Sequence, residues 1–216
     1  MKIVVIGGRG NGTVVASTIE DCKSNGQDVE CIGFLNDIKD PINGYDVLGD
    51  ISAGSVERLS SEIKFIFAMS NVQQAAERYN LLQRLKIPRD RFASIIHPTS
   101  VVSSSAQLGV GVVLMPFTLV SPNVVIGDHS QLYAQSFVGH DSILEEMVFV
   151  ANNASVGGRV LVKTGSHVGS NSSLVERIEL GRFAVVGLGS VVLHDVNDYE
   201  VVAGNPARSI RTLTSR

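Results

Sequence analysis

The chain has no tryptophan and little else that is aromatic, since aromatic residues make up 6% of its 216 residues. Only two cysteines occur, Cys22 and Cys31, too few and too close together for the disulfide framework of a secreted domain. Neither sign of charge dominates: the formal net charge is −3, so no basic excess points to nucleic acid. These absences exclude a small disulfide-stapled protein and argue against a nucleic-acid-binding one.

Long apolar runs are also missing. No stretch of 18 consecutive apolar residues occurs, so the sequence predicts no membrane-spanning helix. The opening segment, MKIVVIGGRG, contains an apolar run too short for a signal-peptide core. We therefore expect a cytoplasmic protein of one or two domains, with 44% apolar residues to build its core.

What the sequence does have is a six-residue repeat that runs without a break from Ile96 to Val192. Every sixth residue in this stretch is Val, Ile or Leu, which by chance has odds on the order of 10⁻⁸. The residue four places later is small in every repeat except at Ile178. A period of six suits a coil with three flat faces and a narrow interior. The repeat predicts a triangular parallel β-helix whose coils stack roughly 4.8 Å apart.

The corners of this coil are predicted to be turns. Pro98, Pro116 and Pro122 each lie two places after an inward aliphatic residue, where a turn accommodates a residue without an amide donor. The two corner positions also hold residues that tolerate left-handed backbone angles: Asn123, Asn152, Asn153, Gly158 and Asn171. A β-sandwich is the alternative, but its alternating pattern and strand spacing are absent.

The start of the chain predicts a Rossmann-like unit. A β-branched strand at 2–6 leads into GGRGNG at 7–12, and a helix is predicted over 13–22. Its inward residues are predicted to be Val14, Val15, Thr18 and Ile19. Glycines let a backbone approach a phosphate, and a helix N-terminus offers free amide donors to it. Because the spacing GxxGxG differs from the dinucleotide fingerprint GxGxxG, a phosphate or nucleotide-sugar site and a merely structural turn both remain open.

Two more strands are predicted, at 29–35 and 64–69, and each ends in polar residues. Asn36 and Asp37 follow the first, and Ser70 follows the second. The carboxyl ends of parallel strands open on one crevice, so Asp37 is a candidate ligand for a ribose or base hydroxyl. A solvated loop carboxylate is the alternative interpretation.

The rest of this unit is predicted in outline. Asn71 is expected to cap a helix over 72–86, and the segment 40–59 reads as a loop plus a short helix. We place the boundary after Phe92, which makes 1–92 a Rossmann-like domain and 93–216 the β-helix with a C-terminal tail.

One tripeptide within the repeat carries candidate chemistry, Gly139-His140-Asp141. A histidine beside a carboxylate can act as a general base, because the carboxylate stabilises the imidazolium that forms. A solvated corner dipeptide is the alternative. A metal site lacks its ligands: His140 and His194 are three coils, about 14 Å, apart, and His129 and His167 fall at other repeat positions. Neither cysteine falls in the repeat, which leaves direct transfer assisted by a base.

Four features together resemble bacterial hexapeptide-repeat sugar acyltransferases: the unbroken repeat, GHD at 139–141, AGNPA at 203–207 and the GGRGNG loop. The branch that it resembles joins a Rossmann-like domain to a left-handed parallel β-helix; it comprises nucleotide-4-amino-sugar N-acetyltransferases and the sialic-acid O-acetyltransferase type. The resemblance implies a homotrimer with acetyl-CoA in the groove between adjacent β-helices, a nucleotide sugar on the small domain, and a role in polysaccharide or glycan biosynthesis. It implies acetyl transfer to an amino group of that sugar. O-acetylation of a sugar hydroxyl and a non-catalytic trimeric scaffold are the alternatives.

The resemblance also assigns roles to residues. His140 matches the family's catalytic base, and Asp141 matches the neighbouring acid. Contacts to the sugar nucleotide fall on Arg9, Gly10, Asn11, Asn36, Asp37 and Ser70, and contacts to acetyl-CoA on Phe149, Gly158, Ser170 and Leu188. Asn11 and Phe149 stand where the family commonly has histidine, and neither can act as acid or base. The general-base role therefore falls more heavily on His140.

Overall fold

A computed structural model describes residues 1–213, so the last three residues of the predicted second domain, 214–216, lie outside the described residues. The chain begins with a four-stranded parallel sheet in the order β3-β2-β1-β4. Its strands are β1 (Lys2–Ile6), β2 (Glu30–Leu35), β3 (Val47–Gly49) and β4 (Lys64–Phe67). The helices are α1 (Asn11–Ser24), α2 (Ala53–Arg58) and α3 (Ala75–Arg84), with 3₁₀ turns at Val72–Gln74 and Arg89–Arg91. The predicted α/β unit is confirmed.

Helices cover both faces of this sheet, which explains the unbroken apolar run of β1. Ile3 and Val5 pack with α1, whereas Val4 and Ile6 pack with α2 and α3. All four side chains are fully buried. The layered packing holds the carboxyl ends of β1 and β4 side by side, at the edge where the glycine loop begins.

Three details of the prediction were wrong. The segment 40–59 contains strand β3 in addition to the short helix α2. Val14 is 41% exposed, because the buried stripe of α1 runs through Val15, Thr18, Ile19 and Cys22. The helix expected over 72–86 is a 3₁₀ turn followed by α3, which ends at Arg84.

The β-helix consists of three sheets in which the strands of successive coils pair in parallel, as Val125 does with Ile143. The last two strands of the first face pair antiparallel. The first face contains Ile95–Ile96, Val113–Leu114, Gln131–Leu132, Phe149–Val150, His167–Val168 and Val185–Val186, and ends in Glu200–Gly204 and Ala207–Thr212. The second face contains Val101–Val102, Leu119–Val120, Phe137–Val138, Ser155–Val156, Ser173–Leu174 and Val191–Val192. The third face contains Gln107–Leu108, Val125–Ile126, Ile143–Leu144, Leu161–Val162 and Glu179–Leu180. The fold class predicted from the repeat is confirmed.

The interior follows the repeat from the second coil onward. Every sixth aliphatic residue from Leu114 to Val192 is buried, but Ile96 is 36% exposed because no coil lies beneath it. Several polar residues at the small position bond to turn backbone: Ser142 Oγ donates to the carbonyl of Gly157 (2.9 Å) and accepts from the amide of Val160 (3.1 Å). These bonds let serine replace an aliphatic residue inside the coil.

The corners are turns with a left-handed residue at the third place after the inward aliphatic residue. This place is occupied by Asn123, Asn153 and Asn171 as predicted, and also by bulkier residues such as Phe117 and Arg177. Asn152 and Gly158, at the second place, do not take positive φ, which corrects that part of the prediction. A positive φ at the third place and proline at the second fit a type II turn. The rule also places Asp141 at φ 59°.

The α/β unit is fixed on the first face. Helix α1 contributes Ile19 and Cys22 to a buried cluster that includes Ile95 and Val113 of the β-helix. Polar bonds flank this cluster: Gln131 Nε2 donates to the Phe67 carbonyl (2.7 Å), Arg89 forms a bidentate pair with Asp128 (2.9 Å for both bonds), and Tyr79 donates to Glu146 (3.0 Å). The glycine loop therefore has a set position relative to the first face. None of the helices in residues 1–213 has the length and apolar character needed to cross a membrane.

Candidate functional site

A crevice of about 350 Å³ opens at the carboxyl ends of β1 and β4. Residues 8–12 of the glycine loop line one side, residues 68–71 line the other, and Arg78 of α3 closes it. The parallel pairing of β1 with β4 places both segments at one sheet edge. Of the three strand ends predicted to open on one crevice, those of β1 and β4 line it and that of β2 does not.

The loop has its glycines for specific reasons. Gly10 has φ 90° and ψ −120°, a conformation that side-chain-bearing residues rarely adopt. A Cβ on Gly8 would lie 2.5 Å from the side-chain nitrogen Nδ2 of Asn36. Within residues 1–213, no side chain caps the start of α1, so its first amides stay available to an anion.

Four of the six predicted sugar-nucleotide residues line this crevice: Arg9, Gly10, Asn11 and Ser70. The other two, Asn36 and Asp37, form hydrogen bonds within neighbouring loops and do not line the crevice. Asn36 donates to the Gly7 carbonyl (2.9 Å) and accepts from the amide of Ile38 (2.8 Å), and Asp37 accepts from the amide of Ile51 (3.0 Å). Their contact with a ligand stays a prediction.

Arg78 was missed by sequence reasoning. It lies seven residues, two helical turns, after Asn71, whose side chain accepts from the amide of Gln73 (3.0 Å) and caps the turn as predicted. The guanidinium of Arg78 donates to Gln74 (3.2 Å) and makes no ion pair among the residues that the structure describes. An arginine two turns after a strand-end cap is a signal that the sequence contains.

His140 and Asp141 occupy the corner between the second and third faces. Asp141 takes the left-handed place, and its Oδ2 lies 2.7 Å from His140 Nδ1. The bond to His140, followed by one from Asn123 (3.0 Å), lowers the pKa of Asp141, so the carboxylate is ionised at neutral pH. An ionised carboxylate can only accept, which assigns the proton to Nδ1 and leaves the Nε2 lone pair free.

Space around Nε2 is kept open by Gly158, one coil above. A Cβ on Gly158 would lie 2.9 Å from Nε2 of His140. The imidazole is 46% exposed, so a substrate can reach it. Of the residues predicted to contact acetyl-CoA, Gly158 is therefore the one beside the base.

The other three lie elsewhere on the chain. Ser170 and Leu188 occupy the corner between the first and second faces, one coil apart, and Leu188 is 80% exposed. Phe149 lies on the first face, where its ring stacks on His167 at 4.8 Å. One chain thus does not gather the four predicted acetyl-CoA residues on one surface. Nor does it bring the crevice to His140, since the α/β unit covers the first face.

A second cavity, of about 40 Å³, lies between the α/β unit and the first face. It shares Met69, Ser70, Asn71 and Arg78 with the crevice and extends to Phe149 and His167. Burial lowers the pKa of His167 to about 4, so its imidazole is neutral at pH 7. Over residues 1–213, no three His, Cys, Asp or Glu side chains are arranged to hold a metal ion.

These features resemble those of hexapeptide-repeat acyltransferases that carry an amino-terminal α/β domain. Residues 2–82 match the PglD N-terminal domain family. GDP-perosamine N-acetyltransferase of Escherichia coli O157:H7 is 26% identical over 178 residues, which cover 79% of this chain and 77% of that protein.

Solved structures of two acetyltransferases superpose on this chain over nearly its full length. The acetyltransferase domain of PglB from Neisseria gonorrhoeae superposes with a TM-score of 0.82 at 26% identity, covering 97% of this chain and 99% of that one. A mutant perosamine N-acetyltransferase from Caulobacter crescentus, in complex with CoA and GDP-perosamine, superposes with a TM-score of 0.81 at 25% identity. The match covers 98% of this chain and 97% of that one. Over nearly its full length the chain is therefore similar to hexapeptide-repeat sugar acetyltransferases.

Proposed function

We propose that this protein transfers the acetyl group of acetyl-CoA to the amino group of a nucleotide-linked amino sugar. The observation that carries the proposal is the bond between His140 and Asp141, which orients a free Nε2 lone pair toward solvent. The amine nitrogen attacks the thioester carbon and forms the C–N bond. Nε2 accepts the proton that the nitrogen loses, the C–S bond breaks, and the CoA thiolate leaves and takes up a proton.

The crevice is the proposed site of the nucleotide sugar. Free amides at the start of α1 and the positive charges of Arg9 and Arg78 complement a diphosphate. Asn11 and Ser70 supply neutral hydrogen-bonding groups beside them. The relatives named for GDP-perosamine support this class of acceptor.

The proposed assembly is a homotrimer, in which a neighbouring chain brings His140 to the crevice. Apolar side chains are exposed along the second face and the corner that precedes it: Val101, Phe117, Leu119, Phe137 and Leu188. A row of exposed apolar residues is typical of a surface that another chain covers. In a trimer closed around a threefold axis, this exposed apolar surface of one chain lies against the neighbouring chain. CoA is proposed to lie in the groove between the two chains.

The proposed compartment is the cytoplasm. Both cysteines, Cys22 and Cys31, are free and buried in the α/β unit. Reduced thiols are typical of a cytoplasmic protein.

The experiment that tests the proposal offers acetyl-CoA with a panel of UDP-, GDP- and dTDP-linked 4-amino sugars and follows thiol release. We expect release with at least one member and a product whose added acetyl group resists hydroxylamine, as an amide does. A hydroxylamine-labile product would indicate transfer to a hydroxyl instead. Absence of thiol release with every member would contradict the proposal and favour a non-catalytic scaffold.

A further inference from the structure

The cavity between the α/β unit and the first face contains a buried polar atom without a partner. Gln131 lines this cavity and is 5% exposed. Its Nε2 donates to the Phe67 carbonyl at 2.7 Å, whereas its Oε1 has no hydrogen-bond partner among the residues that the structure describes. Turning the amide over would set Oε1 against that carbonyl oxygen, so the orientation is determined. A buried hydrogen-bond acceptor of a residue in the wall of this cavity is thus left without a donor.

The cavity is a branch of the crevice. Ser70 and Asn71 line both spaces, and Arg78 stands where the two meet. We assign the sugar end of the nucleotide sugar, rather than the nucleoside, to this junction when its diphosphate lies at the start of α1. In the proposed trimer the sugar must also be open to His140 of a neighbouring chain, where acyl transfer is proposed to take place.

The volume of the cavity and the charge at its mouth limit which chemical groups of a ligand can enter it. A volume of about 40 Å³ accommodates about three to four water-sized groups at roughly 10–15 Å³ each, hence a ring substituent and not a whole sugar ring. Phe149, Met147 and Met69 give the walls an apolar surface for ring C–H groups. The guanidinium of Arg78 at the mouth disfavours an ammonium group. A neutral hydroxyl can donate a hydrogen bond to Oε1 of Gln131 and carries no positive charge for the guanidinium of Arg78 to repel.

We infer that this cavity receives a hydroxyl of the acceptor's sugar ring, which donates its hydrogen to Oε1 of Gln131. The inference rests on the proposed function, whose acceptor it describes. Gln131 is a specificity-determining residue, because a buried acceptor left unpaired penalises any sugar that lacks a donor at that place. His167, stacked on Phe149 and neutral, forms the far wall against the β-helix.

The test measures binding in the absence of acetyl-CoA, by calorimetry, with UDP, GDP, dTDP and the corresponding 4-amino sugar conjugates as probes. Gln131→Met removes the acceptor at nearly constant volume. Gln107→Met is the matched control, since Gln107 holds the same repeat position on the third face and is exposed. Gln131→Asn, which withdraws the amide by one methylene, replaces the methionine variant if that variant fails to fold.

We expect the Gln131 variant to bind the best nucleotide sugar roughly three- to tenfold more weakly, the usual worth of one hydrogen bond. Binding of the bare nucleotide should not change, and the control should match the wild type in both measurements. Unchanged sugar affinity, or equal loss for nucleotide and nucleotide sugar, overturns the inference. Transfer activity with unchanged sugar affinity overturns it while the proposed function stands. Sugar binding that depends on Gln131 without any acetyl transfer overturns the proposed function alone.

Discussion

Asp141 turns its carboxylate back onto His140, 2.7 Å from Nδ1, because the left-handed corner position reverses the chain between them. The backbone holds this conformation: the Asp141 amide donates to the Pro122 carbonyl one coil below (3.1 Å), and the His140 carbonyl accepts from the Arg159 amide one coil above (2.8 Å). A type II turn fixed by its neighbours therefore sets the tautomer of the imidazole.

Removing the carboxylate tests that role. Asp141→Asn should lower kcat less than loss of His140 does, because the imidazole can still accept a proton while the support for its cation is gone. Asn123→Gly keeps the left-handed corner conformation, removes the secondary bond to Asp141 and serves as a milder comparison. Steady-state kinetics would contradict the role of Asp141 if Asp141→Asn kept full kcat.

The proposed sharing of the site between chains predicts complementation. His140→Ala chains and chains carrying both Arg9→Glu and Arg78→Glu should each be inactive as homotrimers. When they are co-expressed, we expect about a quarter of sites to combine an intact crevice with an intact neighbouring His140. Mixed trimers without recovered thiol release would show that crevice and base belong to one chain.

Arg78 should act on the acceptor and not on the donor. Arg78→Gln removes the charge facing the crevice, so the acceptor KM should rise while the KM for acetyl-CoA stays nearly constant. Arg84→Gln, at the exposed end of the same helix, is the control and should leave both constants unchanged. Equal effects of Arg78→Gln on the two KM values would remove Arg78 from the acceptor site.

Burial of His167 predicts a pH dependence of stability. Its pKa is about 4 in the folded protein against 6.5 for an exposed imidazole. Between these values the unfolded chain binds the proton and the folded one does not, so stability falls as pH drops below about 6.5 and this loss levels off below about 4. From pH 7 to 5 the loss from His167 is about 2 kcal/mol.

Urea unfolding of wild type and His167→Phe at pH 7 and pH 5 measures this loss. The variant keeps a ring to stack on Phe149 and has no proton to bind, so its stability should decline less between the two pH values. His129, whose pKa burial also lowers to about 4, contributes equally to both proteins and cancels in the comparison. Parallel declines would show that His167 titrates normally.

The interior of the β-helix can be tested at Val168, which is fully buried. Val168→Asp places an unpaired charge in the narrow core and should cost several kcal/mol, enough to prevent folding. Ser173→Asp adds the same charge on the outer side of a neighbouring strand and should express normally. Soluble Val168→Asp protein with an unchanged melting temperature would contradict the inward assignment.

The β-helix was predictable because its inward positions recur every six residues in the sequence. Val168 and Ser142 each have their place from the period alone. The glycine loop and its crevice were predictable for a similar reason, since strand ends of a parallel sheet share an edge. By contrast, Gln131 and Arg78 act through contacts between the two units, and no local pattern specifies how an α/β unit sits on a β-helix. The contact of Asp37 with a ligand stays a prediction. Its bond from the Ile51 amide could not be predicted, because it depends on the path of the loop between the two residues.

The most direct measurement of the central claim is kcat for His140→Ala on the acceptor identified from the panel. His194→Ala is the matched control, because His194 occupies the same corner position three coils along and is exposed. The account predicts that kcat falls by roughly 10²- to 10⁴-fold in His140→Ala, with acetyl-CoA affinity retained and with wild-type kcat in the control. A His140→Ala enzyme that keeps more than half of the wild-type kcat would show that the base lies elsewhere.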